Sequence, residues 1–194
     1  MSNSMQKIKI LIKYIMGFIR CKVAGVQYPG KVYVGRQVHF ANGRKIRLGQ
    51  GVQIRPEVDL FAGDVFVIGK GCDIGTRNRI VGNIIIENNV LFGPDNYISS
   101  EDHAFADIHT PIMFQGTNPG KRNGHDELKI GEGSWIGTHV AIIGDVHIGR
   151  NCVVGANAVV TRDIPDYCVA VGIPAKVIKK YNVETLTWEN VSRI

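Results

Sequence analysis

The sequence predicts an all-β fold, a parallel β-solenoid with a short helix before it and an extension after it, and three observations carry the prediction. An aliphatic residue returns at every sixth position at Ile130, Ile136, Ile142, Ile148, Val154 and Val160. A second run keeps the same spacing at Ile68, Ile74, Ile80, Ile86, Phe92 and Ile98. Between the two, over residues 99–129, the spacing disappears. A period of six fits neither a helix, which repeats near 3.6, nor a half-buried strand, which repeats near 2. Each hexad is therefore one short strand plus a corner, and the chain coils instead of folding back. An antiparallel sandwich with evenly spaced strands could imitate one such run but hardly two.

Residues 1–30 read as a helix that caps the coil. Met5 to Lys22 mixes Lys7, Lys9, Lys13 and Arg20 with Ile8, Ile10, Leu11, Ile12, Tyr14, Ile15, Met16, Phe18 and Ile19. Lys13 interrupts the apolar run, which falls short of the roughly 20 residues a membrane span needs, and no small-residue cleavage site follows it. A solenoid end needs a cap, and that is the favoured role. The alternative is a basic amphipathic helix that touches the inner surface of a membrane.

Residues 31–172 read as the coil. Its hexads begin imperfectly at VGRQVH, step over ANGRKIR, continue through LGQGVQ and IRPEVD, widen at LFAGDVF and lock at Ile68. In the later run, IGEGSW, IGTHVA, IIGDVH, IGRNCV, VGANAV and VTRDIP, Gly follows the aliphatic residue in four of six hexads, which suggests a tight corner. The fifth residues, Ser134, Val140, Val146, Cys152, Ala158 and Ile164, are mostly small or β-branched and suit a second inward position. The excursion over residues 99–129 holds three of the six histidines, and a long loop thrown from a regular scaffold usually carries function. Residues 173–194 read as an extension, with the tail from Tyr181 folded back on the coil as helix or strand.

The chain of 194 residues suits one domain. Cys21, Cys72, Cys152 and Cys168 lie far apart without a CxxC pair, which speaks for reduced thiols in a cytoplasmic protein and against a disulfide framework or zinc knuckle. A formal charge of +6 favours an anionic ligand or surface but is too small and dispersed to argue for nucleic acid.

The hexads, the His-bearing loop, SWIG, GANAVVTRDIP and VGIPAKVIKK together resemble the hexapeptide-repeat acyltransferases, in particular the maltose and galactoside acetyltransferases and the O-acetyltransferases of capsule and lipopolysaccharide clusters. The resemblance implies a left-handed β-helix, a homotrimer, and acetyl-CoA as acyl donor in the groove between subunits. It places the catalytic histidine at His103. It sets Trp135, Gly137, Thr138 and Ala156 along the pantetheine arm, Thr161 and Arg162 near the adenosine, and Lys176 and Lys179 near the phosphates. Arg162 stands where relatives carry Lys, and the start of the chain lacks the helical acceptor region of the maltose enzymes, which speaks against a simple disaccharide acceptor.

The chemistry agrees with this assignment. Acyl transfer to a hydroxyl needs a base that accepts the hydroxyl proton, and neutral imidazole does so. Glu101, Asp102 and Asp107 are close enough in sequence to orient the ring of His103. His109 and His125 share the loop as weaker candidates, and His139 and His147 sit inside hexads, where satisfied surface or groove histidines are expected. The resulting expectation is transfer of acetyl from acetyl-CoA to a sugar hydroxyl of a surface polysaccharide or its precursor. Two alternatives are an amino-sugar N-acetyltransferase of the same fold and a metalloprotein like the γ-type carbonic anhydrases. The latter use a closely paired H-x4-H, whereas five residues separate His103 from His109.

Overall fold

The computed structural model describes residues 3–119 and 123–191; residues 1–2 of the predicted cap, 120–122 of the predicted loop and 192–194 of the predicted extension lie outside these. The chain is a parallel β-solenoid of about seven turns with three flat faces. The first face stacks Tyr33–Val34, Gln53–Ile54, Asp73–Ile74, Leu91–Phe92, Trp135–Ile136, Val153–Val154 and Cys168–Val171 in parallel. The second runs through His39–Ala41, Tyr97–Ser99, Ala141–Ile143 and Val159–Val160. The third runs through Ile46–Leu48, Leu128–Ile130 and His147–Ile148. Asp59–Ile68 and Arg79–Ile86 each bend across the second and third faces.

Every apolar residue of both six-residue runs is buried, at 3% exposure or less, and every fifth residue of the later hexads is buried at 5% or less. These two inward columns per face make one continuous core along the axis. Polar residues in the inward fifth position bond across turns. Asn78 Nδ2 donates to Gly93 O at 2.9 Å, Asn78 Oδ1 accepts from the N–H of Asn96 at 2.9 Å, and Asn96 Oδ1 accepts from the N–H of Val140 at 2.7 Å. Buried amides are satisfied in this way.

The glycine after the aliphatic residue has a different cause from the one its position suggests. A Cβ on Gly137 would lie 2.7 Å from the backbone nitrogen of Ala156, one turn on, so close stacking of successive turns excludes a side chain. The left-handed corner conformation falls two residues later, at Gly133 (φ 71°), His139 (φ 53°), Asn151 (φ 49°) and Asn157 (φ 60°). Asn tolerates this conformation better than most residues.

The helix α1, Asn3–Ala24, closes the first turn. Gly17 and Cys21 are buried against it, and the guanidinium of Arg20 donates to Gly35 O at 2.8 Å. At the other end the chain turns at Gly172–Pro174 and returns antiparallel as Lys176–Asn182 and Thr187–Asn190, where Tyr181 and Trp188 meet edge to face at 5.4 Å. All four cysteines are free and buried, and burial pushes the thiols of Cys21, Cys72 and Cys152 up to about 11. They are core residues.

Ser99 and Leu128–Lys129 pair within the second and third faces, so the excursion is narrower than the loss of periodicity implied and begins and ends at the corner between these faces. That corner is also widened two turns earlier, at residues 63–65, and the two irregularities touch through Asn83. Its Oδ1 accepts from the N–H of Asp64 at 2.6 Å, and its Nδ2 donates to Asp126 O at 3.3 Å. Among the described residues no helix is long and apolar enough to cross a membrane.

Candidate active site

The excursion rises as a two-stranded stalk. Glu101–His103 pairs antiparallel with Thr117–Pro119, and His103 stands opposite Thr117 with its side chain exposed. Its backbone N–H donates to Asp102 Oδ1 at 2.9 Å. Asp107 is committed to the tip. It accepts from the N–H of His109 at 2.9 Å and the hydroxyl of Thr110 at 2.6 Å, and the Thr110 hydroxyl holds its carboxyl below the usual carboxylate range. This leaves Glu101 and Asp102 as the carboxylates with which His103 shares its strand. The tip is apolar and exposed at Phe105, Ile108, Ile112, Met113 and Phe114.

The base of the loop is pinned by residues that no sequence motif marks. Asp145 is 1% exposed, and its carboxylate accepts from the backbone N–H groups of Asn123 at 2.9 Å and His125 at 3.0 Å. The ring of His125 stacks on that of His147 with centroids 3.5 Å apart and planes 6° from parallel. His125 Nε2 is 2.9 Å from Asp163 Oδ2, and the other oxygen of Asp163 accepts from the N–H of His147 at 2.8 Å. His147 differs from the satisfied surface histidine its hexad position suggests. Its Nε2 is buried without a hydrogen-bond partner, and Glu127 Oε1 lies 3.3 Å away outside hydrogen-bonding geometry. Only the presence of three histidines and several acids near the loop hinted at this cluster, because His125 and His147 become neighbours through coil stacking alone.

The residues expected along the pantetheine form a column at the corner between the first and second faces. Thr138 Oγ1 donates to Pro94 O at 3.0 Å, Thr138 O accepts from the N–H of Asn157 at 3.0 Å, and Gly137 packs on the backbone of Ala156. Trp135 is half exposed on the strand that enters this corner. The column ends at Gly172–Pro174, after which the N–H of Ala175 bonds Val159 O and Lys176 emerges opposite Val171. Thr161 and Arg162 stand at the far edge of the second face, beyond Val159–Val160, and Lys179 lies opposite Val169 as an extension of the first face. A single chain therefore gathers Trp135, Gly137, Thr138, Ala156 and Lys176 along one edge and leaves Thr161, Arg162 and Lys179 apart from them. His103 is borne by the corner at the other end of the second face. Among the described residues no group of three His, Cys, Asp or Glu side chains is placed to hold a metal ion.

Residues 128–162 match the bacterial transferase hexapeptide family (six repeats). The chain is 37% identical over 156 residues to a probable acetyltransferase of Mycobacterium tuberculosis, an alignment covering 80% of this chain and 45% of that protein. It is 32% identical over 137 residues to galactoside O-acetyltransferase of Escherichia coli, covering 70% of this chain and 64% of that one. It thus spans about half to two thirds of these relatives. Among solved structures, the N-acyltransferase AntD of Bacillus cereus, in complex with dTDP and 3-hydroxybutyryl-CoA, shares the fold with a TM-score of 0.72 at 21% identity, over 86% of this chain and 89% of that one. Together with the buried hexad columns and the loop that interrupts them, these likenesses show a bacterial transferase hexapeptide repeat over residues 128–162 in a chain that is similar to acetyltransferases over 70–80% of its length.

Proposed function

We propose that the chain is an acetyl-CoA-dependent O-acetyltransferase that acts on a sugar hydroxyl, with its active site shared between neighbouring copies of a homotrimer. The observation that carries this reading is the separation of the site's two halves. His103 is presented at one corner of the coil and the Thr138–Ala156 column runs along another, with the second face between them. One chain cannot close such a site, but a second copy set against it can. The apolar tip residues Ile108, Met113 and Phe114, each at least 70% exposed, supply a surface for that contact.

In this reading the thioester lies along the first corner and the acceptor hydroxyl meets His103. The imidazole takes the hydroxyl proton as the oxygen attacks the acetyl carbonyl, and a backbone N–H of the groove steadies the oxyanion. The tetrahedral intermediate then collapses, the C–S bond breaks, and the CoA thiolate recovers the proton from the imidazolium. Lys176, Lys179 and Arg162 serve the phosphates of CoA once copies assemble. The named activity of the galactoside O-acetyltransferase supports a hydroxyl acceptor, and the acyl-CoA bound by the Bacillus cereus protein supports CoA as carrier.

The test is release of CoA thiol from acetyl-CoA with a panel of glycosides, nucleotide sugars and amino sugars, alongside the mass in solution. Turnover with a hydroxyl sugar and a mass of three chains is expected. Turnover confined to amino sugars would replace the reading with N-acetylation, and a mass of one chain, 21.3 kDa, would remove the shared site.

A further inference from the structure

The helix α1 uses only part of its circumference to cap the coil. Gly17 and Cys21 face inward with Ala24 half buried beside them, a spacing that keeps to one side of a helix. The opposite side is apolar and open. Ile12, Ile15, Met16, Ile19 and Val23 are 40–85% exposed, and the helical period places them on one arc. Beside that arc Tyr14, Ile15, Phe18, Tyr28, Gly30 and Lys31 line a shallow hollow of about 430 Å³, in which Phe18 and Tyr28 meet edge to face. Capping the coil does not require this second face, since a cap's outer side is normally polar.

The charge of the same helix indicates what covers it. Asn3–Ala24 contains Lys7, Lys9, Lys13, Arg20 and Lys22 and no Asp or Glu. Two copies meeting through this face would bring like charges together. A surface of anionic lipid instead complements the charge and accepts the apolar arc. The helix is too polar to span a membrane, but an apolar face with a basic remainder is the pattern of a helix that lies in the headgroup region. We propose that α1 is an interfacial membrane helix, holding the coil against a bilayer that contains anionic lipid while its inner face continues to cap the first turn.

The test is co-sedimentation of the full chain with vesicles of equal parts phosphatidylglycerol and phosphatidylcholine, and with vesicles of phosphatidylcholine alone. The wild-type protein should bind the mixed vesicles, and binding should weaken as salt is raised. The double variant Ile15→Glu, Ile19→Glu should lose about tenfold or more of the partitioning while keeping its melting temperature and solution mass, because both side chains are already half exposed. Lys13→Gln with Lys22→Gln should weaken binding to the mixed vesicles with less effect on phosphatidylcholine. Wild-type protein that stays in the supernatant with both vesicles would overturn the proposal. A double variant that binds as before, or whose mass falls, would overturn it as well, the latter identifying the outward face as a contact between copies.

Discussion

The two ends of the extruded loop differ in how they are held. The base is over-determined: Asp145 gathers two backbone N–H groups, His125 is stacked on His147 and bonded to Asp163, and Asn83 ties the returning strand to the widened corner of an earlier turn. The stalk and tip rest on one antiparallel pairing and on contacts internal to residues 107–115. A rigid base with an exposed end suits a residue that must be presented to something outside its own chain, and His103 sits in that exposed part. The cluster at the base is partly exposed, with His125 and His147 at 27% and 30%, but its side chains are engaged with one another and with the returning segment. Its two histidines, His125 and His147, are stacked on each other and tied to Asp163, an arrangement that serves position.

The comparison breaks most visibly if the roles are reversed. His103→Ala should lower turnover by about 10²–10⁴-fold, the usual span for a general base, with acetyl-CoA affinity, melting temperature and solution mass nearly unchanged. His109→Ala, on the same loop, is the control. If His103→Ala turns over as wild type and His125→Ala is dead, the base of the loop holds the chemistry and the division drawn between its two ends is wrong.

Removing the pin should cost less activity and more order. Asp145→Ala leaves two backbone N–H groups without their acceptor in a buried setting, a loss of about 1–3 kcal/mol from the closed loop. The coil should keep its core, so the effect should appear as faster proteolytic cleavage between residues 100 and 127. Turnover should fall roughly ten- to hundredfold through misplacement of His103. Uniform loss of protection across the coil would mean that Asp145 supports the solenoid and not specifically the loop.

The groove offers a smaller test. Lys176→Ala should weaken acetyl-CoA binding about two- to fivefold, more at low salt than at high, as expected for one exposed cation near a phosphate. Lys13→Ala, at the far end of the coil, should leave it unchanged. Equal losses would show that the Thr138–Ala156 column does not lead to the CoA site.

How much of this was legible depends on what sets each feature. The hexads named their own inward residues because one corner geometry repeats in every turn, and twelve apolar positions from Ile68 to Val160 were read correctly for that reason. That a loop bearing His103 leaves the coil was readable from the interruption, whereas the choice of His103 among the loop's histidines rested on the resemblance alone. The purpose of the glycines was not, because the near contact of Gly137 with Ala156 arises between turns, and sequence reasoning assigned the freedom of φ to the wrong position in the hexad. The pinning cluster was hidden for the same reason. His125 and His147 are 22 residues apart and meet only because the excursion returns beside the next turn, while Asp145 and Asp163 look like ordinary corner residues. The tail from Tyr181, which pairs antiparallel through Thr187–Asn190, could not be told from a helix, since its polar and apolar residues follow neither period cleanly.

The finest test concerns the tip alone. Asp107 is fully exposed, yet its carboxyl is held below the usual carboxylate range, first by the Thr110 hydroxyl and then by the His109 N–H. The sign follows from that direction: the ionised form is favoured in the folded tip, so its contribution is fully present above the ordinary value of about 3.9 and is lost as pH falls through the lower folded value. Protection of the His109 and Thr110 amides, corrected for intrinsic exchange, should therefore be flat from about pH 7 to about pH 5 and decline only below about pH 4. Thr110→Val removes the leading cause and should move the Asp107 titration, followed by carboxyl NMR, upward towards the ordinary value. Amides at the base, those of Asn123 and His125, should not respond to Thr110→Val, because their acceptor is Asp145. If they lose protection together with the tip, the loop moves as one body and its two ends are not separately held.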